Sequence, residues 1–273
     1  MMGRVSPIDL GRPRDLGDLL GLSLGLWFRH LPLFFALAFV VVAPVVLLVD
    51  GVWAGTLDDV EAGTLDDVEA ADAPVAAGLV STLLQLTVVP ALVTAMHVIA
   101  VQDIARGESP SFGRALRSAF AVLVPVGLVV VLYALAVGLG FLALIVPGLW
   151  LSVRWYFGAQ AAVVDDSRGV GALRRSGELV DGTWWRVAGI LFVLGLLGMI
   201  VSGVLAALVG VVVGVVGDAD AGIAVGNVLL QTLAVSWTAV AGTLLYFDLR
   251  ARKAPAFPGA EAPERPWVGP SRA

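Results

Sequence analysis

Cysteine is absent from this sequence, histidine occurs only twice, and charge is scarce: Asp, Glu, Lys and Arg together make up 14% of 273 residues. Without cysteine there is no disulfide framework, no thiolate metal site and no cysteine nucleophile. The two histidines, His30 and His97, stand far apart and lack further ligands at helical spacing, so neither a metal site nor a cofactor is expected. Each reads as a histidine near the inner membrane interface. No aspartate or glutamate falls clearly inside an apolar stretch, which removes the usual parts of carboxylate-pair hydrolysis and of proton-relay transport. Asp248, at the exit of the last apolar stretch, reads as solvated. "GLSLG" (21–25) matches a nucleophile elbow in letters only, because Ser23 lies on an amphipathic helical pattern and no strand enters the turn. What the chain has instead is hydrophobicity: 59% apolar residues and a mean hydropathy of +0.93. Soluble domains are only about half apolar, so an all-α polytopic membrane protein is expected and an enzyme is not.

A helix needs about 20 apolar residues to cross the hydrocarbon core. Six stretches qualify, at about 31–49, 74–101, 119–138, 141–163, 187–216 and 222–247, within a single membrane domain over 1–250. The third and fourth come from one run, Ala119 to Val163, whose only charge is Arg154. That run is too long for one crossing and reads as a hairpin turning at 138–140 or at 146–148. Lengths favour the first, with Pro147 then kinking the fourth span. Residues 251–273 read as a disordered cytoplasmic tail.

Charge placement tests this count independently. Arg4, Arg12, Arg14 and Arg29 precede the first span, and Arg106, Arg114 and Arg117 lie between the second and third. Arg168, Arg174, Arg175 and Arg186 lie between the fourth and fifth, and Arg250, Arg252, Lys253, Arg265 and Arg272 follow the sixth. The other three connections carry no basic residue and hold ten of the 22 acids. Lysine and arginine beside short loops stay on the cytoplasmic side, so both termini are expected in the cytoplasm of a cell with this protein in its plasma or inner membrane.

The first external connection contains an eight-residue unit in perfect tandem, "GTLDDVEAGTLDDVEA" (55–70). It lacks the oxygen alternation and the glycine turn of a calcium loop and reads as a mobile, solvated acidic loop. The cytoplasmic connections "SPSFGRALRSAF" and "DDSRGVGALRRSGELVDGTWWR" place apolar residues at helical spacing with arginines facing away, the pattern of helices lying in the headgroup layer. The leader "LGDLLGLSLGLWFRH" (16–30) aligns with 173–187, so that Trp27-Phe28-Arg29 falls on Trp184-Trp185-Arg186. Three hairpins, each preceded by an interfacial helix, are therefore expected.

The segment "VPGLWLSVRWYFGAQAAVVDDSRGVGALRRSGELVDGTWWRVAGILFVL" (146–194) resembles the signature region of a bacterial six-helix membrane family. That family is similar to the membrane domain attached to some glycerophosphoryl diester phosphodiesterases. The matching features are the proline-glycine opening, the mid-helix Arg154, the "ALRRSGELV" helix and the "WWR" return to the membrane. The resemblance implies a membrane platform without the catalytic barrel.

Within "LWLSVRWYFGAQ" (149–160), Arg154 costs on the order of 3 kcal/mol if it stays at mid-span. It is expected to reach toward the inner headgroups, with a second reading in which it holds a lipid phosphate or caps carbonyls freed near Pro147. Arg174, Arg175 and Arg186, with Trp184 and Trp185 as interfacial anchors, would add about 1 kcal/mol per charge toward anionic lipid. Polar span residues are few. Thr87, Pro90, Thr94 and His97 share one side of the second span, and Asn227, Gln231 and Thr238 one side of the sixth. Gly203, Ala207, Gly210 and Gly214 form a small-residue seam on the fifth. Interhelical bonding and close packing account for such residues at about 1 kcal/mol per polar contact. A substrate path would require the two polar stripes to face one cavity. The expected function is non-enzymatic, with anionic membrane lipids bound at the cytoplasmic face in membrane or envelope homeostasis. The alternative is a transporter or lipid-translocating protein that uses the polar faces of spans two, four and six. Nucleic acid is not an expected partner, and a homo-oligomer or a membrane-protein partner is left open.

Overall fold

In a computed structural model, the described residues are 8–61, 68–217 and 219–253, with side chains described outside 49–84, 86–87 and 219–221. They form ten helices and no strand: α1 (Leu16–Arg29), α2 (Leu31–Glu61), α3 (Val68–Ala105), α4 (Phe112–Ala121), α5 (Leu123–Ala143), α6 (Ile145–Arg154), α7 (Gly158–Val164), α8 (Val170–Val180), α9 (Trp184–Val216) and α10 (Ala219–Arg252). Five of them, α2, α3, α5, α9 and α10, are long and apolar enough to cross a membrane.

Helix ends follow local chemistry. Asp15 caps α1 by accepting the Asp18 N–H through Oδ1 at 2.7 Å, which satisfies one of the free donors of the first turn. α2 continues through Glu61, so the first copy of the acidic octapeptide is helical up to that residue and is no loop. Leu, Glu and Ala in the unit have good helical propensity and the apolar span supplies the nucleus. Residues 62–67, inside the repeat, lie outside the described residues, as does 254–273 of the expected tail. At the chain's other end α10 runs on to Arg252.

The expected fourth span is not one helix. The turn falls at Leu144, between the two expected positions, and Pro147 sits in the first turn of α6, where a missing N–H costs nothing. The returning segment then breaks at 155–157 into α6 and α7. It packs antiparallel along α5. A Cβ on Gly140 would lie 2.9 Å from the Gly148 Cα, the Tyr133 hydroxyl donates to the Ser152 carbonyl at 3.3 Å, and Val129 presses on Gly158.

α10 and α3 form the interior. Of their apolar windows 67% is buried, against 11% for α9, which turns Phe192, Met199 and Val211 outward. One buried network ties five helices together. The Trp27 indole donates to Ser236 Oγ at 3.0 Å, and His97 Nε2 meets the same oxygen at 3.1 Å while Nδ1 meets the Val93 carbonyl at 2.8 Å. A carbonyl only accepts, so Nδ1 carries the proton and the Ser236 hydroxyl donates to Nε2. Phe34 stacks on the imidazole at 5.3 Å, and Trp237 reaches across to donate to the Leu194 carbonyl at 2.8 Å. His97 is thus a fully buried structural residue and not an interfacial one.

Candidate functional site

One end of the bundle carries a belt of paired charges built around three aspartates. Each stands at the C-terminal end of a helix: Asp103 in the last turn of α3, Asp165 just after α7, and Asp248 in the last turns of α10. Asp248 is fully buried, which corrects its reading as solvated. Its Oδ1 accepts the Arg14 N–H at 2.6 Å, and its Oδ2 accepts from Arg186 at 3.2 Å and Arg252 at 2.9 Å. The leader folds back here, so that Arg186 also donates to the Arg14 carbonyl at 3.1 Å. Asp165 takes Arg175 at 3.0 Å and the Tyr246 hydroxyl at 2.6 Å, with Arg250 at 3.4 Å. Asp103 faces Arg114 at 3.6 Å and Arg106 at 3.8 Å. Each acid has an arginine within four residues along the chain, but Asp248 read as solvated because spacing alone does not show which helices close over it. His30, between α1 and α2, is held below the ordinary imidazole range, first by burial and then by the adjacent Arg29 charge.

Of the candidate lipid-phosphate residues, Arg175 and Arg186 are engaged inside this belt. Arg154 is paired within the protein. Its guanidinium grips both carboxylate oxygens of Asp181 at the end of α8, lies 4.9 Å over the Trp150 ring, and packs on Gly177, where a Cβ would come within 3.2 Å of Nε. At the α6–α7 break the Phe157 N–H donates to Ser176 Oγ at 3.1 Å, and the Ser176 hydroxyl donates to the Arg154 carbonyl at 2.9 Å. One buried hydroxyl from α8 therefore replaces the missing helical bonds of the break. Arg175 and Arg186 are held by Asp165 and Asp248, whereas the Arg174 side chain is 81% exposed with Glu178 at 3.6 Å. Trp184 donates to the Trp150 carbonyl at 3.2 Å, and Trp185 is left 83% exposed.

The polar span residues divide between three places. Gln231 accepts from Gln85 at 2.6 Å and joins α10 to α3. Asn227 lines a groove between α9 and α10 beside Gly203, Gly210 and Gly214 of the small-residue seam. There α9 and α10 nearly touch backbones, for a Cβ on Gly222 would lie 2.8 Å from the Gly210 carbonyl oxygen and the Gly214 Cα. Thr94 turns elsewhere. With Pro90 of α3 and Thr238 of α10 it lines a cavity of about 440 Å³. Thr87 lies among the residues whose side chains are not described.

The other walls of this cavity come from the second hairpin: Val129, Val130, Tyr133 and Ala134 of α5, Trp155 and Tyr156 from the break, and Gly158, Ala159 and Gln160 of the first turn of α7. Thr238 is exposed at its rim and donates to the Ala234 carbonyl at 2.7 Å. Gln160 is 4% exposed and its Oε1 is buried without a hydrogen-bond partner. Gly242 gives it room, since a Cβ there would stand 3.2 Å from the Tyr156 hydroxyl and 3.3 Å from Gln160 Nε2. No charged side chain is among the lining residues. Tyr156 and Gln160 had no signal in the sequence, because only the break in the helix sets them on this wall. Among the described residues no group of three or more histidines, aspartates and glutamates could hold a metal ion.

Fold and site together define the class: an all-helical membrane protein with five helices fit to cross a bilayer and a largely apolar internal cavity. Residues 111–251, about half the chain, match the domain family of unknown function DUF8558, and the protein belongs to that family. The match runs from the start of α4 nearly to the end of α10 and so includes every cavity wall except that from α3. No curated protein and no solved structure matches the chain.

Proposed function

We propose that this is a non-enzymatic multi-pass protein of the plasma or inner membrane that holds a membrane lipid in the cavity between α3, α5, α7 and α10, in membrane homeostasis or lipid translocation. One observation carries the reading: Thr94 and Thr238, about 140 residues apart in sequence, meet Tyr133, Tyr156 and Gln160 around one cavity. Its volume and its few polar groups on apolar walls are typical of sites that bury a small ligand. The exposed rim at Thr238 supplies a side door from the bilayer. In the accompanying topology α6 and α7 together make a sixth crossing, about 30 Å for 20 residues at helical rise, with the aspartate belt and both termini on the cytoplasmic side. This keeps the membrane-platform role implied by the resemblance to phosphodiesterase membrane domains. The test is native mass spectrometry of the purified full chain. Ala234→Phe, which fills the cavity, is expected to remove most co-purified lipid, and unchanged retention would refute the proposal.

A second reading, adsorption of anionic lipid at the cytoplasmic face, is favoured by Arg174 and Arg168, whose side chains are 81% and 76% exposed. At about 1 kcal/mol per charge, the double substitution to alanine should weaken retention of phosphatidylglycerol by roughly tenfold or more. Arg154→Ala is expected to leave that retention unchanged, because its charge is already paired.

A further inference from the structure

Most polar groups of the cavity's lining residues are engaged by the protein or closed off. The Tyr133 hydroxyl donates to the Ser152 carbonyl at 3.3 Å, and the Thr238 hydroxyl donates to the Ala234 carbonyl at 2.7 Å. Gln160 Oε1 has no exposed surface, and the Tyr156 hydroxyl stands beside Gly242, which is not a lining residue. The Thr94 hydroxyl and the Trp155 indole remain, one on α3 and the other in the break, and both are neutral. They supply no counter-charge for a phosphate, and an ordered water needs two to four polar partners. Hydrocarbon is what such a wall accepts.

Size and depth narrow the occupant further. At about 30 Å³ per methylene, close to the share of one water in the liquid, the 440 Å³ cavity takes roughly fifteen carbons, one acyl chain and not two. Along the helix axes, Gln160 lies about 7.5 Å from Asp165, Thr94 about 13.5 Å from Asp103, Thr238 about 15 Å from Asp248 and Pro90 about 20 Å from Asp103. The cavity therefore spans the depth of the tails of one leaflet in a hydrocarbon core about 30 Å thick. The exposed rim at Thr238 admits a chain from the side without its head passing through the wall. A tail that leaves the bilayer for this slot exchanges one apolar surrounding for another, so fit and not burial decides which chain is held.

Resting on the cavity reading above, we infer that the cavity is a slot for one straight acyl chain of roughly fifteen carbons, taken from the leaflet on the side of the aspartate belt. The lipid's head stays outside the wall, and selection is by chain length and not by head group.

Lysophosphatidylcholines with saturated chains from decanoyl to docosanoyl, and hexadecanoyl lysophosphatidylglycerol as the exchanged head, test this. Each is added to the full chain in a steroid-based detergent, where no alkyl chain competes, and bound lipid is read by native mass spectrometry. The hexadecanoyl probe is expected to bind several-fold better than the decanoyl or the docosanoyl one, and equally with either head. Ala234→Phe should expel every probe. Ala134→Phe, on the α5 wall, should do the same and carries the test if Ala234→Phe does not fold. Ala234→Val adds two carbons to the wall and should move the preferred chain about two carbons shorter, a shift that loosened packing does not produce. Binding that is flat across the chain series or follows the head, yet is lost in Ala234→Phe, overturns the chain slot and leaves the cavity reading standing. An optimum that Ala234→Val leaves in place overturns the slot as well. Lipid binding that neither phenylalanine changes overturns both.

Discussion

Ser176 shows how a single hydroxyl holds a broken helix. It serves the Phe157 N–H and the Arg154 carbonyl together, and it is fully buried. Ser176→Ala leaves both backbone groups without partners, so a loss of about 1–3 kcal/mol is expected, read as a lower unfolding temperature by tryptophan fluorescence in detergent. An unchanged midpoint would mean that water or a shift of α7 serves the break. Asp248 stands in a different position, because three groups converge on it and nothing in water competes for its oxygens. Asp248→Asn keeps the shape and removes the charge that Arg186 and Arg252 share. Those arginines retain partial access to solvent, so the cost should be roughly 2 kcal/mol, below that of orphaning a fully buried partner. The same melt measures it, and the loss should grow with dilution of salt if the pairing is electrostatic.

Among the elements, α9 and α10 test where small residues are required. A Cβ on Gly198 would lie 2.0 Å from Trp237 Cδ1, whereas one on Gly203 meets nothing within 4 Å. Gly198→Val is therefore expected to destabilise by about 1–3 kcal/mol through overpacking, and Gly203→Ala to be neutral or slightly stabilising. Chemical unfolding of the two variants in one detergent decides it, and equal stability would show that the helices do not cross as described. The seam was legible as small residues at helical spacing, but which of its members touch α10 was not: Gly210 and Gly214 do and Gly203 does not. The fourth apolar stretch shows the same limit. Its hydropathy reads as one span, while the local pull of Ser176 and the Arg154–Asp181 pair divides it into α6 and α7.

At the scale of the molecule, the cysteine-free chain permits single-cysteine labelling at any position without background. With the cytoplasmic arrangement proposed above, a cysteine placed in the acidic octapeptide repeat should react with a membrane-impermeant maleimide in intact cells. One replacing Arg174 should react only after permeabilisation. Labelling of both from one side would refute the arrangement. Asp103, Asp165 and Asp248 stand at the ends of α3, α7 and α10 and each collects arginines, so neighbouring basic residues are paired and do not simply repel one another.

The membrane class, the long apolar helices and the short amphipathic helices between them were determined by the sequence itself, because hydropathy and helical spacing are local properties of the chain. Only the tertiary structure decided which polar groups meet. It turned Arg154 to Asp181, buried Asp248 and His97, separated Asn227 and Gln231 from Thr238, and set Tyr156 and Gln160 on the wall that Thr94 faces. The physical reason is that a hydrogen bond or an ion pair between helices depends on their crossing and rotation, which no periodicity within one helix specifies.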